Sequence, residues 1–369
     1  MSLNPLKKRK LSDTKFNEVF NKKTKTSSHS TMDSNRISYP APRNAIDNRI
    51  EHNTENDSQM EEVQSPSDLR SPHAKFSDED RGLDSDSPSN QNQFITQWET
   101  YPYLQSVRLP IQPGSICDFT IDWGDGTPLQ HIDSENPEID VANISHSYKE
   151  VGIHTIVIDG VLHGFTFYLH NYSLKRKRSI KRIMNWSSNL ILADNGSQFM
   201  DCINLRITAL NTPNLVMNRN LSRCFKNVTH LMINSIRNWN VSTVQNVSQM
   251  FENCSMFNGD LSCWKLGNVT NATAMLRGCE IFNSNLSNWD TKSLEHISYM
   301  FYGCQSFSCE GLTLWNINRI RNATLVLKGV ANQVDLDSLR QSWLQARQNG
   351  TQDQALNKLY DLGVYHNEL

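Results

Sequence analysis

A repeat with a period of 25 residues most constrains how this 369-residue chain can fold. Tryptophan, methionine, cysteine and phenylalanine return in register over the second half of the sequence. The repeating residues are Trp239, Trp264, Trp289 and Trp315; Met250, Met275 and Met300; Cys254, Cys279 and Cys304; and Phe257, Phe282 and Phe307. A period of about 20–29 residues is typical of leucine-rich-type coils. Since one unit has too little apolar surface to fold alone, stacked units must share a continuous core.

The repeat predicts a solenoid over residues 175–330. Two degenerate units, at 199–215 and 221–239, precede the regular ones, as expected of terminal repeats that cap a stack. Beyond position 330, two amphipathic segments flank Asn349-Gly350. Their periodicity predicts a helical C-terminal cap over residues 331–369.

Short alternating segments precede the repeat and predict a β-sandwich module over residues 94–174. Phe119, Ile121 and Trp123 alternate with polar residues, as in a half-buried strand. A tight turn follows, and glycine accepts the positive φ that such turns need. The predicted hairpin residues are Asp122, Trp123, Gly124, Asp125 and Gly126. The expected fold class is therefore mostly β with short helices.

Residues 1–93 lack apolar periodicity and are predicted to form a disordered tail, because they cannot bury enough apolar surface to offset chain entropy. Charge divides this tail. Its first 27 residues carry eight basic residues, whereas residues 45–93 carry twelve acidic residues against four basic ones.

Two basic clusters suggest partners. The first resembles a nuclear import signal and consists of Lys7, Lys8, Arg9 and Lys10, with Lys22 and Lys23 further on. A solubilising tail and a nonspecific nucleic-acid contact are the alternatives. The second places six basic residues within positions 175–182. It is either an exposed connecting strand or an anion- or nucleic-acid-binding patch.

Motifs for catalysis and for cofactor or metal binding do not stand out. The sequence has no HExxH and no phosphate-binding glycine loop, and its cysteines form no CxxC pairs. The cysteine series lies within apolar spacing, which predicts small buried hydrophobic residues rather than ligands. Asp122 and Asp125 are assigned to the turn, because two acidic residues are too few for a calcium site. The expectation is a non-enzyme without a cofactor.

The units MFENCSMFNGDLSCW, CEIFNSNLSNWDT and MFYGCQSFSCEGLTLW resemble those of BspA-type leucine-rich repeat surface proteins, including the 25-residue form of mycoplasma lipoproteins. The WGDGT turn followed by HSYKEVGIHTIVIDG is similar to the PKD-like module that precedes such repeats. The resemblance covers roughly residues 94–325. It implies a binding or adhesive scaffold, not a catalyst.

The start of the chain departs from the surface-exposed bacterial members. It shows a basic segment but neither a signal peptide nor a lipobox, and no apolar run long enough to span a membrane is visible. Such modules also occur in large DNA viruses, so an intracellular, nuclear or virion-associated protein is expected. Protein binding through the solenoid is the leading function. A nucleic-acid-associated protein acting through the tail and residues 175–182, and an enzyme of unrecognised type, are the alternatives.

Overall fold

In the computed structural model, the described residues are 90–169, 172–330 and Leu339. Most of the predicted tail, with its import-like segment, lies outside the described residues, as does the predicted C-terminal cap apart from Leu339. Within the described part the chain is mostly β, with one short α-helix. The predicted fold class is confirmed at that level.

The described strands and helices are short. The strands are β1 (Gln93–Glu99), β2 (Ser106–Arg108), β3 (Cys117–Asp122), β4 (Gln130–Asp133), β5 (Ser145–Ser147), β6 (Ile153–Phe165), β7 (Ile180–Asn185), β8 (Leu190–Leu192) and β9 (Arg206–Ile207). The α-helix is α1 (Leu174–Lys177), and the 3₁₀ helices are Asn90–Asn92, Val141–Asn143, Ile236–Asn238 and Leu312–Leu314.

A seven-stranded sheet runs in the order β4-β3-β6-β1-β7-β9, with β8 paired in parallel to the far end of β6. The long strand β6 pairs antiparallel with both β1 and β3. The two-residue side-chain period directs one face of β3 inward, where Cys117, Phe119 and Ile121 are buried. A separate two-stranded sheet joins β2 to β5.

This seven-stranded sheet crosses position 175, where the sequence pattern changes. β7 pairs with β1, and β9 continues the sheet from β7 in parallel. The Phe167 N–H also donates to the Gln198 carbonyl at 2.8 Å, next to the first repeat unit. Backbone pairing therefore runs without a break from the strand module into the repeats, and the predicted boundary between residues 174 and 175 stays a prediction.

The repeats stack through parallel backbone contacts. Isolated parallel bridges join Asn220, Asn246, Asn271, His296 and Asn322 in succession. Around each bridge, alternate N–H groups of one unit donate to carbonyl groups of the next, as when residues 221, 223, 225 and 227 donate to 246, 248, 250 and 252. We call the segments 219–228, 245–254, 270–279, 295–304 and 321–330 the ladder segments.

Each ladder segment bends through left-handed backbone. Asn227 and Asn253 have φ near +65° and +62°, and glycine takes over at the same place in the next unit, Gly278. Asparagine and glycine tolerate this conformation better than most residues. The asparagine amides also hydrogen-bond between units, from Asn253 to Asn227 at 2.9 Å and from Asn227 to Asp201 at 2.7 Å. These side chains stabilise the first bends, and glycine suits the later ones.

Candidate binding surface

The repeating tryptophans lie in the core. Trp239, Trp264, Trp289 and Trp315 are between 1% and 4% exposed. The indole Nε1 of Trp264 donates to the Ile236 carbonyl, and that of Trp289 to the Leu261 carbonyl, both at 2.8 Å. The indoles of Trp264 and Trp289 therefore each satisfy a buried carbonyl of the preceding unit. This leaves the tryptophans unavailable to a partner at the surface.

The repeating cysteines are buried thiols. The Sγ atoms of Cys254, Cys279 and Cys304 lie 3.0–3.1 Å from carbonyl oxygens of the preceding unit. Burial raises the pKa of all three thiols, that of Cys304 to about 12. A protonated thiol can donate weakly to a carbonyl, which accounts for cysteine at this position. Among the residues described, no group of three metal-ligating side chains converges.

The methionine and phenylalanine series complete the core. Met250, Met275 and Met300 are buried, as are Phe257, Phe282 and Phe307, whose rings follow one another at 6.2 and 5.6 Å. A further buried series runs through the degenerate units and the regular ones. Phe199, Phe225 and Phe251 stack at 5.5 and 5.8 Å, and Leu276 and Phe301 occupy the equivalent later positions. Its signal is the large apolar residue directly after each repeated methionine.

The predicted hairpin residues connect β3 to β4, which pair antiparallel. Trp123 is buried, and its Nε1 donates to Gln130 at 3.1 Å. Gly124 has φ near +76°, and an added Cβ would lie 2.2 Å from the Thr155 carbonyl oxygen. Only glycine fits here without a backbone shift. Gly126, at φ +78°, faces open space.

Both aspartates of the turn accept hydrogen bonds from it. Asp122 accepts from the Gly124 N–H at 2.9 Å, and Asp125 accepts from the Thr127 hydroxyl at 2.6 Å. The second carboxylate oxygen of Asp125 lies 2.7 Å from His146 Nε2. The Thr127 and His146 hydrogen bonds hold the pKa of Asp125 well below its ordinary value. These contacts give the aspartates a role within the turn.

The ladder segments carry a polar surface, which we call the ladder face. At its centre Glu252, 4% exposed, accepts from Lys226 Nζ at 2.6 Å and from Arg277 Nη1 at 3.5 Å. The Arg277 guanidinium also lies over the rings of Tyr299 and Tyr302, at 5.8 and 5.2 Å. Tertiary structure thus assembles one network from four successive units.

The second basic cluster falls on α1, the following turn and β7. Lys177 is buried and lies 3.3 Å from Asp201, whereas Lys181 pairs with Glu99 at 2.8 Å. Lys175 and Arg178 are exposed. The cluster is therefore divided between cations paired within the fold and cations that face solvent.

Comparison with known proteins extends to part of the chain. The fold defines a mostly β repeat protein, and a family described as Mycoplasma protein of unknown function, DUF285, matches residues 219–338. The match covers all five ladder segments and all four repeating tryptophans, which agrees with the resemblance to mycoplasma-type repeats. No curated protein and no solved structure matches the chain. In the described part of the chain, no helix has the length and hydropathy needed to cross a membrane.

Proposed function

We propose that this protein is a non-catalytic binding scaffold, a BspA-type solenoid preceded by a PKD-like β-sandwich, which captures a protein partner on the ladder face. The observation that carries the proposal is the lateral alignment of polar and aromatic side chains from successive units. A stack of this kind presents an extended surface without needing a pocket.

The chemistry of the ladder face suits a protein partner. Tyrosine and arginine are enriched where protein interfaces concentrate their binding energy. Tyr299, Tyr302 and Arg277 are half-buried and lie in mutual contact, so they lose little side-chain freedom on binding. Exposed Arg223 and Lys328 flank them along the stack. The expected partner surface offers acidic groups around an apolar centre.

The test is affinity capture with the full chain, quantified by mass spectrometry. Arg223→Glu with Lys328→Glu reverses two exposed charges on the ladder face, and Lys265→Glu with Arg319→Glu makes the same change outside the ladder segments. We expect a specific protein to be depleted at least fivefold on the ladder-face variant and retained on the control. Equal recovery on both variants would exclude the ladder face as the binding surface.

We also propose that the scaffold acts inside a cell or virion and is imported into the nucleus by its basic segment. A reporter fused to residues 1–30 should accumulate in nuclei of a eukaryotic cell. Replacing Lys7, Lys8, Arg9 and Lys10 with alanine should return it to the cytoplasm. A wild-type fusion that stays cytoplasmic would contradict this part of the proposal.

A further inference from the structure

One end of the seven-stranded sheet, where β1 ends and β6 begins, exposes large apolar side chains. Tyr103 is 70% exposed, Ile153 61%, Leu174 56% and Val151 48%. These residues come from three separate segments, which are the turn after β1, the turn into β6 and the start of α1. Single exposed apolar residues are ordinary on a protein surface, whereas several that gather in one place mark a surface that meets an apolar partner.

Strand pairing holds the first two segments side by side. Glu99 stands opposite Ile153 in the β1–β6 register, so their side chains lie on the same side of the sheet, about 5 Å apart. One residue further along, the Thr100 N–H donates to the Gly152 carbonyl at 2.8 Å. Glu99 also accepts from the Tyr101 hydroxyl. The turn after β1 therefore lies next to the start of β6.

Stacked rings extend this surface to α1. The Tyr101 and Tyr103 rings are 5.4 Å apart and nearly parallel, and the Lys175 ammonium lies over the Tyr103 ring at 5.4 Å. Leu174 precedes Lys175 in α1, and both side chains are exposed. A series of contacts thus leads across the end of the sheet from Ile153 to α1. We call this surface the tyrosine end; its residues are Tyr101, Tyr103, Val151, Ile153, Leu174 and Lys175.

The charges around the tyrosine end are mainly positive. Cations outnumber anions among the exposed charged residues of the three segments, which are Lys149, Glu150, Lys175 and Arg178. Arg178 is fixed here because the Glu99 N–H donates to the carbonyl of the next residue, Ser179, at 2.7 Å. The Glu99 carboxylate is paired with Lys181 at 2.8 Å, so it adds no net charge. Exposed apolar side chains among cations complement a surface that is apolar within and anionic outside.

We propose that the tyrosine end is a docking surface for membranes that contain anionic lipids, with Tyr103, Leu174 and Ile153 entering the interfacial layer. Tyrosine suits that layer because its ring is apolar and its hydroxyl is polar, and a lysine can bury its stem there while its ammonium stays among the headgroups. Cations near the surface add attraction to anionic lipids. A protein partner would need a surface shaped to side chains from three separate segments, whereas a fluid bilayer accommodates each side chain individually.

Environment-sensitive fluorescence of the full chain tests the contact itself. Val151→Cys in a Cys263→Ala background carries a nitrobenzoxadiazole label at the tyrosine end, and Asn288→Cys in the same background carries it on an exposed residue of the repeats. Mixed phosphatidylserine–phosphatidylcholine vesicles should shift the emission of the first label to shorter wavelength and leave the second unchanged. An unshifted label at residue 151 would overturn the proposal, even if the vesicles attract the basic residues at the start of the chain.

Vesicle co-sedimentation provides a second readout. Tyr103→Ser with Leu174→Ser should lower the partition coefficient by roughly tenfold or more, because two side chains no longer enter the apolar layer. Leu314→Ser with Met256→Ser removes side chains of matching exposure, 70% and 54%, from the repeats and should partition like wild type. Equal partitioning of the two double variants would contradict docking through the tyrosine end.

Charge variants give a third readout. Lys175→Gln should weaken binding to the mixed vesicles by roughly fivefold, the contribution of one lysine near an anionic surface. Lys265→Gln, at an exposed lysine of the repeats, should leave binding unchanged. A shift of the label at residue 151 that appears without vesicles and grows with protein concentration would assign this surface to a second copy of the chain and overturn the proposal.

Discussion

Truncation of one repeating tryptophan should destabilise the protein strongly. Trp289 is 4% exposed, and its Nε1 donates to the Leu261 carbonyl at 2.8 Å. Trp289→Ala removes a large buried side chain and leaves a cavity, at a cost of about 3–5 kcal/mol. Trp289→Phe keeps most of the apolar volume but leaves the carbonyl without its donor, at a cost of about 1–3 kcal/mol. Because units contact only their neighbours, the loss should loosen units on both sides.

Urea denaturation of the full chain, followed by circular dichroism, measures these differences. Asn288→Ala is the matched control, since Asn288 is exposed and adjacent in sequence. We expect it to change the free energy of unfolding by no more than about 0.5 kcal/mol. If Trp289→Ala proves no less stable than Asn288→Ala, the tryptophan series does not hold the stack together and the core assignment is wrong.

Three further predictions concern the turn and the thiols. Gly126→Ala should lower the free energy of unfolding, measured by urea denaturation, by about 1–2 kcal/mol, because residue 126 has left-handed backbone. Gly124→Ala should lower it further, because its added Cβ would also lie 2.2 Å from a carbonyl oxygen. Equal losses of stability in the two variants would contradict this. Folding lowers the pKa of Asp125. The stabilisation of the fold by this carboxylate is therefore complete above about pH 4 and is lost as the pH falls through the folded pKa. Asp125→Asn should therefore lower the thermal midpoint more at pH 7 than at pH 2, where part of the stabilisation is already lost, and a constant difference would refute the assignment. Iodoacetamide at pH 8 should modify exposed Cys263 rapidly and buried Cys279 only on unfolding, which peptide mass spectrometry can follow.

The buried residues of the repeats could be predicted from the sequence because the same residue types recur at a fixed interval. A residue that returns every 25 positions occupies the same place in each unit, so Trp264 and Phe282 could be assigned to a core before any coordinates. The signal is weaker for the series that contains Phe225 and Phe251. Leucine replaces phenylalanine at 276, so identity is lost although the buried volume is kept.

The polar surfaces could not be predicted, because their members come from distant or unlike positions. Glu252, Arg277 and Tyr302 occupy equivalent places in successive units but share no residue type, so no repeat signal marks them. Residues 175–182 meet residues 99–103 and residue 206 only in the folded chain, where β1 pairs with β7 and β7 pairs with β9. The sequence showed six basic residues between 175 and 182 but not the tyrosines beside them.

The sequence by itself determined the period, the repeating buried residues and the glycine turn that follows Trp123. These depend on local conformation and on apolar spacing, which the order of residues encodes directly. Tertiary structure alone decided that strands on both sides of position 175 share one sheet, and which charges are paired. Lys177 is neutralised by Asp201 whereas Lys175 lies over Tyr103, although the two lysines are only two residues apart in the sequence. Strand pairing and long-range electrostatics arise between segments far apart along the chain, so only the folded arrangement defines them.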